Sequence, residues 1–579
     1  MTRRTRRLVL LSLALLVAVA LGYSAWLAWQ VRAELASAQK GITRLQDTLG
    51  RDDADADRER AVADLTEAAA GARDLTDGAW WSAMTWTPVV GDDAAAVRAL
   101  SSSLAGVSED GLSPLLQVAD RLPEAQRKGR IDLEAVAGLQ GPIARSRAAF
   151  DAAAAEVADI DSADLAGSVR GPFQRYVAEV DGAASAMADA QSTVDLLPGM
   201  LGADGPRDYL LVFQNNAEIR ATGGLPGSWS LVHAEDGRLS IQRQGSARDF
   251  PVDGPVLPLS PAERRVYGPQ LASYWLDAGF TPDFPRAAEL MTAHWNRAFP
   301  DQPIDGVLAL DPVTLSYLLE GTGPVDVGPV RLTTENVLAE LLDVPYRTLD
   351  PAEQDIFFAS AAAAVFERAT QGVDDPLALV GALRRAAGEG RLLVSLADDE
   401  AARALEGTRL LGALEGDDGT TPHVDISLND GTGSKMSYYL RYTAGVEARS
   451  CQDGRQQLAG TLKLRQTIDP AVAKELPDYV TGGGNFGTQP GSQLVFVRFH
   501  APFGGSVGEV RLGGRKLRST PVEIDGREVA TFVALLSSQE PSTFTWQMET
   551  GPGQTGDVEL GMTPSVVPGD NNTVVTHAC

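Results

Sequence analysis

Histidine and cysteine are scarce in this chain of 579 residues, which has five histidines and two cysteines. The histidines are scattered without the spacing of metal ligands, so the sequence predicts no histidine or thiolate metal site. No Gly-x-Ser-x-Gly or Gly-x-Gly-x-x-Gly turn joins a predicted strand to a predicted helix. The usual sequence support for a hydrolase or a dinucleotide-dependent dehydrogenase is therefore missing.

Positive charge is also in deficit. Lysine and arginine together number 50 against 77 aspartates and glutamates, which gives a net charge of −27. Binding to nucleic acid needs clustered lysine and arginine to neutralise phosphates, so we exclude nucleic acid as a partner. A hydrophobic content of 44% is enough for folded domains with real cores.

Basic residues do cluster at the N-terminus, where four arginines fall within the first seven residues and precede the uncharged stretch 8–29. A helix of about 22 residues, rising about 1.5 Å per residue, crosses a hydrocarbon core of about 30 Å. The arginines favour a cytoplasmic N-terminus, and Tyr23, Trp26 and Trp29 suit the opposite interface. We therefore predict a single-pass anchor in the cell membrane, with the bulk of the chain extracytoplasmic.

A cleaved signal peptide is the alternative, because Ala36-Ser37-Ala38 resembles a cleavage site. The site lies beyond Arg32 and Glu34, several residues after the apolar stretch, which favours the uncleaved anchor.

The two cysteines, Cys451 and Cys579, are predicted to pair, since an even number of cysteines outside the membrane favours a disulfide. The alternative is a pair of free thiols. A bridge of this length would stabilise the fold by about 4–5 kcal/mol in the chain-entropy model.

Changes in residue composition and hydrophobic periodicity along the chain predict a multidomain α+β protein. Alanine, charged residues and leucine at helical spacing predict an α-helical stalk or bundle, and later stretches predict an α/β domain and then a β-sandwich. The predicted parts are the cytoplasmic tail and transmembrane anchor at 1–30, the helical stalk at 31–200, the α/β domain at 201–417 and the β-rich domain at 418–579.

Three tryptophans, Trp80, Trp81 and Trp86, lie close together between predicted helices, just before Pro88. Tryptophan buries a large area, so we interpret the cluster as a plug in the core of the helical bundle. The alternative is a patch that faces the membrane or a partner.

Polar residues are densest directly after the first predicted strand of the α/β domain, residues 209–213. Ligand sites of open α/β sheets lie at the carboxyl ends of strands. A second polar cluster follows a predicted hairpin, at residues 244–250. The candidate ligand-binding residues in these two clusters are Asn215, Asn216, Arg220, Gly223, Gly224 and Arg248.

Arg220 and Arg248 are predicted to form an anion clamp, because guanidinium groups match phosphate oxygens two at a time. Asp249 is the candidate catalytic carboxylate. The structural alternative is that asparagine and glycine build a tight turn, while the arginines pair with Glu218 and Asp249.

The residues of this region resemble the bacterial family catalogued as domain of unknown function 4012, which occurs on membrane-anchored proteins. Residues 209–224 carry the resemblance, with further similar stretches at 281–285, 305–312, 322–325 and 428–440. The similar region extends over about residues 85–445. The family supplies no reaction.

The order of elements is also similar to the LytR-CpsA-Psr family of envelope phosphotransferases. Arg220, the pair Arg248-Asp249 and the stretch 323–325 follow one another as the motifs of that family do. The resemblance implies that arginines hold the pyrophosphate of a polyprenyl-linked glycan, that aspartates hold Mg²⁺, and that the glycan passes to the cell wall. An aspartate of that family corresponds to Asn215 here, and another is replaced within 221–224.

The functional hypothesis is a membrane-anchored envelope protein that binds or transfers a lipid-linked glycan phosphate. The alternative is a non-catalytic envelope scaffold. An apolar tunnel beside Arg220 and Arg248 would favour lipid binding, and a solid core there would favour the scaffold.

Overall fold

The structure is a computed structural model that describes residues 3–48, 55–127, 129–537 and 540–579. The contacts divide the chain into two compact units. The first unit is Met1–Ala125 with Asp132–Pro198, and the second is Gln126–Ile131 with Gly199–Cys579. The first unit is built from helices and the second mixes helices and sheets, so the prediction of a multidomain α+β protein is confirmed.

The first unit contains helices of 6 to 46 residues. They are α1 (Arg3–Thr48), α2 (Asp55–Asp77), α3 (Ala79–Met84), α4 (Gly91–Gly106), α5 (Leu112–Arg121), α6 (Leu133–Ala158) and α7 (Gly167–Met200). A π-helical turn, Val107–Gly111, joins α4 to α5.

Small residues allow α1 and α2 to approach closely. Ala38 on α1 and Ala69 on α2 are fully buried in one apolar cluster with Leu65. A Cβ atom at Gly41 would lie 2.9 Å from the Cβ of Leu65, so glycine is required at this crossing. The alanine-rich sequence thus determines the packing of the hairpin as well as its helicity.

The tryptophan cluster divides between the core and the surface. Trp81 is buried with Leu27 and Val31 of α1, and its indole Nε1–H donates to the carbonyl of Ala94 over 2.9 Å. Trp80 and Trp86 are exposed. The core-plug interpretation is confirmed for Trp81 and is wrong for the other two.

Among the described residues, none of the helices has the length and apolarity needed to cross a membrane. The side chains of residues 8–17, about half of the predicted anchor, lie outside the described part of the chain. The anchor stays a prediction.

The second unit contains the sheets. Its strands are β1 (Gln126–Arg127), β2 (Arg130–Ile131), β3 (Arg207–Asn215), β4 (Leu225–Glu235), β5 (Arg238–Ser246), β6 (Gly306–Leu310), β7 (Val325–Val327), β8 (Val330–Leu332), β9 (Leu392–Leu396), β10 (His423–Asp430), β11 (Leu440–Gln452), β12 (Arg455–Gln466), β13 (Gln493–His500), β14 (Ser506–Leu512), β15 (Arg515–Lys516), β16 (Val522–Ile524), β17 (Arg527–Leu536), β18 (Ser542–Glu549), β19 (Val558–Met562) and β20 (Thr573–Val575).

Helices lie mainly between β5 and β10. They are α8 (Pro261–Val266), α9 (Gln270–Ser273), α10 (Phe284–Ala298), α11 (Pro312–Thr322), α12 (Val337–Leu342), α13 (Val344–Thr348), α14 (Pro351–Gln371), α15 (Pro376–Gly388), α16 (Asp399–Ala404), α17 (Pro470–Ala473) and α18 (Asp478–Thr481).

Sheet A has the strand order β5-β4-β3-β6-β9, with β3 and β6 parallel and the other pairs antiparallel. Leu210 and Val212 of β3 face a core shared with α8 to α10, while Leu211 and Phe213 face a core shared with α11, α12 and α14. This alternation places helices on both faces of the sheet.

The predicted hairpin is formed by β4 and β5. Asp236 and Gly237 lie between the strands with φ of 49° and 76°. Two successive positive φ values are typical of the type I′ turn, whose twist matches that of the strands it joins.

Two further sheets pack face to face in the C-terminal part. Sheet B has the order β16-β17-β13-β10-β19-β20, and sheet C has the order β11-β12-β18-β14-β15. Alternate residues of both sheets, including Val497, Phe499, Phe544 and Trp546, form one apolar core between them. The arrangement is a β-sandwich.

A disulfide joins Cys451 to Cys579 across 128 residues, so the predicted pairing is confirmed. Cys451 lies near the end of β11 in sheet C, and Cys579 follows β20 at the edge of sheet B. The bridge therefore ties the two sheets together at the C-terminus.

We expect Cys451→Ser to lower the free energy of unfolding of the second unit by about 4–5 kcal/mol, since the unfolded chain regains the entropy of an open loop. Urea unfolding of the full chain measures this. Wild-type protein in reductant should fall to the value of the variant, and the variant should not respond to reductant. A loss below about 1 kcal/mol would contradict the prediction.

Candidate functional site

The candidate site lies where β3 and β6 end, because parallel strands present their carboxyl ends at the same edge of a sheet. Residues 214–224, called the polar segment below, leave β3 and return as β4. Asn215 is half-buried, and every other residue of the polar segment is buried. The polar residues that the sequence places at a ligand site are therefore mostly inside the protein.

Glu218 forms the centre of this region. Its Oε1 accepts a hydrogen bond from Nη2 of Arg220 over 3.0 Å, and its Oε2 accepts one from Nζ of Lys435 over 2.6 Å. All three side chains are at most one-tenth exposed. Burial alone would raise the pKa of Glu218, but the charges of Lys435 and Arg220 hold that pKa below its ordinary value.

Arg220 uses its remaining N–H groups on protein acceptors. Nη1 donates to the carbonyl of Ile219 over 3.1 Å, and Nε donates to the carbonyl of Leu276 over 3.3 Å. The guanidinium also lies 3.4 Å from Asp277 and 4.8 Å from the ring centroid of Phe280. The predicted phosphate ligand would have to compete with two carboxylates and two carbonyl groups.

Lys435 is enclosed in the same way. Its Nζ lies 5.6 Å from the ring centroids of both Tyr346 and Tyr479, which face the ammonium with their π systems. Burial would lower the pKa of Lys435, but the carboxylate of Glu218 raises it above its ordinary value, so the side chain stays charged.

Two further carboxyl groups surround the Glu218 pair. Burial raises the pKa of Asp277 to about 6, against the attraction of Arg220. Burial, together with the nearby charge of Glu218, raises the pKa of Asp430 to about 6. Three acids thus share two cations, so this buried cluster favours one bound proton at mildly acidic pH.

Backbone hydrogen bonds attach the polar segment to β10 and the loop after it. The amide of Asp430 donates to the carbonyl of Ile219 over 2.9 Å, and the amide of Ala221 donates to Oδ1 of Asn429 over 3.0 Å. Ser437 accepts from the amide of Ile219 over 3.1 Å. The segment therefore joins sheet A to sheet B.

The two predicted asparagine ligands also have internal partners. Asn215 donates from Nδ2 to the hydroxyl of Tyr346 and accepts the amide of Ala217 over 3.0 Å. Asn216 donates to Oδ2 of Asp311 over 3.0 Å. Asp311 follows β6, so this bond joins the ends of the two parallel strands.

Asp311 belongs to a second buried ion pair. Its Oδ2 accepts from Nη1 of Arg391 over 2.8 Å, and Arg391 also donates to Glu389 over 2.6 Å. Further N–H groups of Arg391 reach the carbonyls of Ser565 and Val567 over 2.6 Å and 2.9 Å. The guanidinium holds the segment after β19 against the end of sheet A.

The predicted glycine pair serves the turn. The amide of Gly224 donates to Oε1 of Gln214 over 3.2 Å, and the amide of Gly223 donates to the carbonyl of Arg220 over 2.8 Å. A Cβ atom at Gly224 would lie 2.4 Å from the backbone carbon of Asn215. Glycine is required here for close backbone approach, and both amides are already paired.

Arg248 and Asp249 lie in a different environment, in a short turn after β5. Arg248 is mostly exposed and pairs with Asp355 of α14 over 3.0 Å. Asp249 accepts the amide of Ser246 over 2.8 Å in a capping box. Among the described residues, Arg220 and Arg248 share no ion-pair or hydrogen-bond partner. The structural alternative fits Arg220, which pairs with Glu218, whereas Arg248 pairs with Asp355 rather than with Asp249.

Two cavities of the second unit lie elsewhere. One of about 500 Å³ opens on the outer face of sheet C and is lined in part by Glu447, Arg449, Glu509 and Arg511. Another of about 520 Å³ adjoins it around β14. Neither is lined by the polar segment or by Arg248. Arg220 itself is 4% exposed.

The magnesium ion that the phosphotransferase resemblance implies does not fit these residues. This hard cation prefers carboxylate and phosphate oxygens, but Asn215 and residues 221–224 supply no carboxylate. The carboxylate of Asp249 already caps its own turn. In the described part of the chain, no three His, Cys, Asp or Glu side chains form a potential metal site.

Sequence reasoning missed Lys435 as the partner of Glu218, Asp277 as the second partner of Arg220 and Asp311 as the partner of Asn216. Lys435 is 217 residues from Glu218, and Asp277 comes from the 3₁₀ turn Trp275–Phe280. One signal was available, since Lys435 is the sole charged residue in the glycine- and serine-rich stretch 431–440. A lone lysine between two strands that are apolar in part indicates a buried charge that needs a carboxylate.

A family model described as a protein of unknown function (DUF4012) matches residues 204–346. The resemblance to that family is therefore supported over those residues, which include the polar segment and Arg248. No curated protein and no solved structure matches the chain. The resemblance to the LytR-CpsA-Psr family stays a prediction.

We expect Arg220→Ala to lower the free energy of unfolding of the second unit by about 3–5 kcal/mol, because a buried carboxylate loses a cation. Arg248→Ala, which removes an exposed pair, should cost less than about 1 kcal/mol. Urea unfolding of both variants tests this. Equal, small losses in both would show that Arg220 is dispensable for the fold and is free to serve a ligand.

The raised pKa of Asp277 predicts that the free energy of unfolding depends on pH. Its pKa of about 6 in the folded state lies above its ordinary value of 3.8, so folding favours its protonated form. The stability this contributes is present below about pH 4 and is lost as the pH rises through about 6. Relative to Asp277→Asn, wild-type protein should therefore lose about 2 kcal/mol between about pH 4 and pH 7.

Urea unfolding across this pH range measures the difference between the two proteins. Asp253→Asn removes the same formal charge at an exposed position and is the matched control. A wild-type profile that runs parallel to that of Asp277→Asn would refute the shifted pKa.

Proposed function

We propose that the protein is a single-pass cell-envelope protein whose extracytoplasmic units act as a non-catalytic scaffold. One observation carries the proposal: the charged groups of the polar segment, Glu218 and Arg220, are buried and neutralised by protein partners. Side chains that are already paired between sheet A and sheet B are poor binding groups for a substrate, because the substrate must first displace their protein partners.

The location is supported by the Cys451–Cys579 disulfide, since such bonds persist in oxidising compartments outside the cytoplasm. It is also supported by the arginine-flanked uncharged stretch 8–29, which predicts an anchor with the N-terminus in the cytoplasm. In this location the bilayer is a permanent partner of the protein, and the cell wall or an envelope complex lies close enough to bind it.

Binding or transfer of a lipid-linked glycan phosphate is the second candidate function. It is favoured by Arg248, whose side chain is 62% exposed beside α14, where it pairs with the carboxylate of Asp355. An exposed guanidinium of this kind is available to a phosphate. Asp249 would be the neighbouring carboxylate.

The thermal unfolding of the full chain in detergent, with and without a polyprenyl phosphate, separates the two candidates. The scaffold proposal expects no change in Tm and no polyprenyl phosphate in mass spectra of co-purified lipids. A ligand that binds the folded state at 100 times its Kd would stabilise it by about 2.7 kcal/mol and raise Tm by several degrees.

Two variants make the result specific. Arg248→Ala removes the exposed candidate, and Arg238→Ala removes another exposed arginine of β5 as the matched control. A Tm increase that Arg248→Ala abolishes and Arg238→Ala retains would overturn the scaffold proposal in favour of phosphate binding.

A further inference from the structure

The connection from α2 to α4 is an uncharged turn with exposed apolar side chains. Residues 78–91, called the tryptophan turn below, contain no Asp, Glu, Lys or Arg, whereas Asp77 and Asp92 stand at its two ends. Trp86 and Val89 are 89% and 87% exposed. Side chains of this kind at the tip of a turn are unusual in contact with water alone.

The tryptophan turn contacts α1 at a defined position along the helix, near Ser24. The indole Nε1–H of Trp80 donates to Oγ of Ser24 over 2.9 Å. The same indole stacks edge-on against Tyr23, with ring centroids 5.2 Å apart. Trp81 anchors the turn from within by packing against Leu27.

These contacts follow from the antiparallel course of the helices. Along α1 and α2, Gly41 approaches Leu65 and Glu34 approaches Gly71, so the chain runs back along α1 toward its N-terminus before it reaches Trp80. The helix α4 then leads away again, with Arg98 paired to Asp77 over 3.0 Å. The tip of the hairpin is thus directed toward the predicted anchor.

This contact between the tryptophan turn and α1 lies within the predicted membrane span. Ser24 is inside the stretch 8–29, and a span that starts near residue 8 reaches the far side of a hydrocarbon core of about 30 Å after about 20 residues. Ser24 would then lie about 5 Å below the outer edge of that core. The exposed rings of Tyr23, Trp26 and Trp29 occupy the same level on α1.

We propose that the tryptophan turn is a second membrane contact, which inserts Trp86 and Val89 into the outer interface of the bilayer beside the anchor. The inference rests on the proposed anchor, which sets the level of the bilayer. Tryptophan favours this interface because its ring is apolar and its N–H is polar, and the absence of charge across residues 78–91 removes the main cost of insertion.

The contact would give the anchor helix a fixed orientation. A single span rotates and tilts in the bilayer. The span of α1 and the tryptophan turn, which pack together at Trp81, would contact the bilayer at two places and so hold α1 and α2 in one orientation. The occupant is lipid rather than a soluble partner, because the turn is continuous with the aromatic residues of α1 at the level where the span leaves the bilayer.

Site-directed spin labelling of the full chain in phosphatidylglycerol–phosphatidylethanolamine vesicles tests the inference. Nitroxides are placed through Val89→Cys and Trp86→Cys on the turn, Leu21→Cys on α1 and Asp110→Cys after α4. The native cysteines are paired and do not react. The ratio of oxygen to nickel-complex accessibility reports lipid immersion.

We expect the ratio at positions 89 and 86 to be severalfold higher than at position 110, and close to the value at position 21. High accessibility of positions 89 and 86 to the nickel complex, with position 21 immersed in lipid, would refute the membrane contact of the tryptophan turn. The proposed anchor would be unaffected by that result. Low accessibility to both reagents at 89 and 86 would mean burial against protein and would refute the membrane contact equally. A water-exposed position 21 would instead show that the proposed anchor has failed.

Discussion

The carboxylate of Glu218, held between Arg220 and Lys435, is the interaction on which the second unit depends. It lies at the end of β3, and its two cations come from the returning turn and from the loop after β10. A buried pair of this kind contributes little net stability, but leaving either partner alone is costly. The pairing therefore specifies one relative arrangement of sheet A and sheet B, since a shift of either would expose an uncompensated charge to the interior.

Other buried arginines join loops in the same manner. Arg527 donates to the carbonyls of Ala501 and His423, and Arg498 donates to the carbonyl of Val266. A guanidinium carries several N–H groups in one plane, so a single side chain satisfies carbonyls from segments far apart in sequence. The architecture thus uses arginine for internal connection, in a chain that is short of positive charge overall.

Local signals allowed much of the fold to be predicted. Local signals mark the start of α14, because Asp350 and Glu353 form a capping box there and Pro351 occupies its first position. The type I′ turn at Asp236-Gly237 is equally local. The candidate site was harder, because Asp277, which pairs with Arg220, lies 57 positions away and Lys435, which pairs with Glu218, lies 217 positions away. A cluster of polar residues at a strand end has the same appearance in sequence whether it faces a ligand or another part of the chain.

The bridge from Cys451 to Cys579 has a consequence for how the β-sandwich bears load. Because Cys579 is bonded back to β11, residues 451–579 form a closed covalent loop that includes strands of both sheets. Tension applied at Cys579 passes through the disulfide to sheet C and bypasses the short edge strand β20.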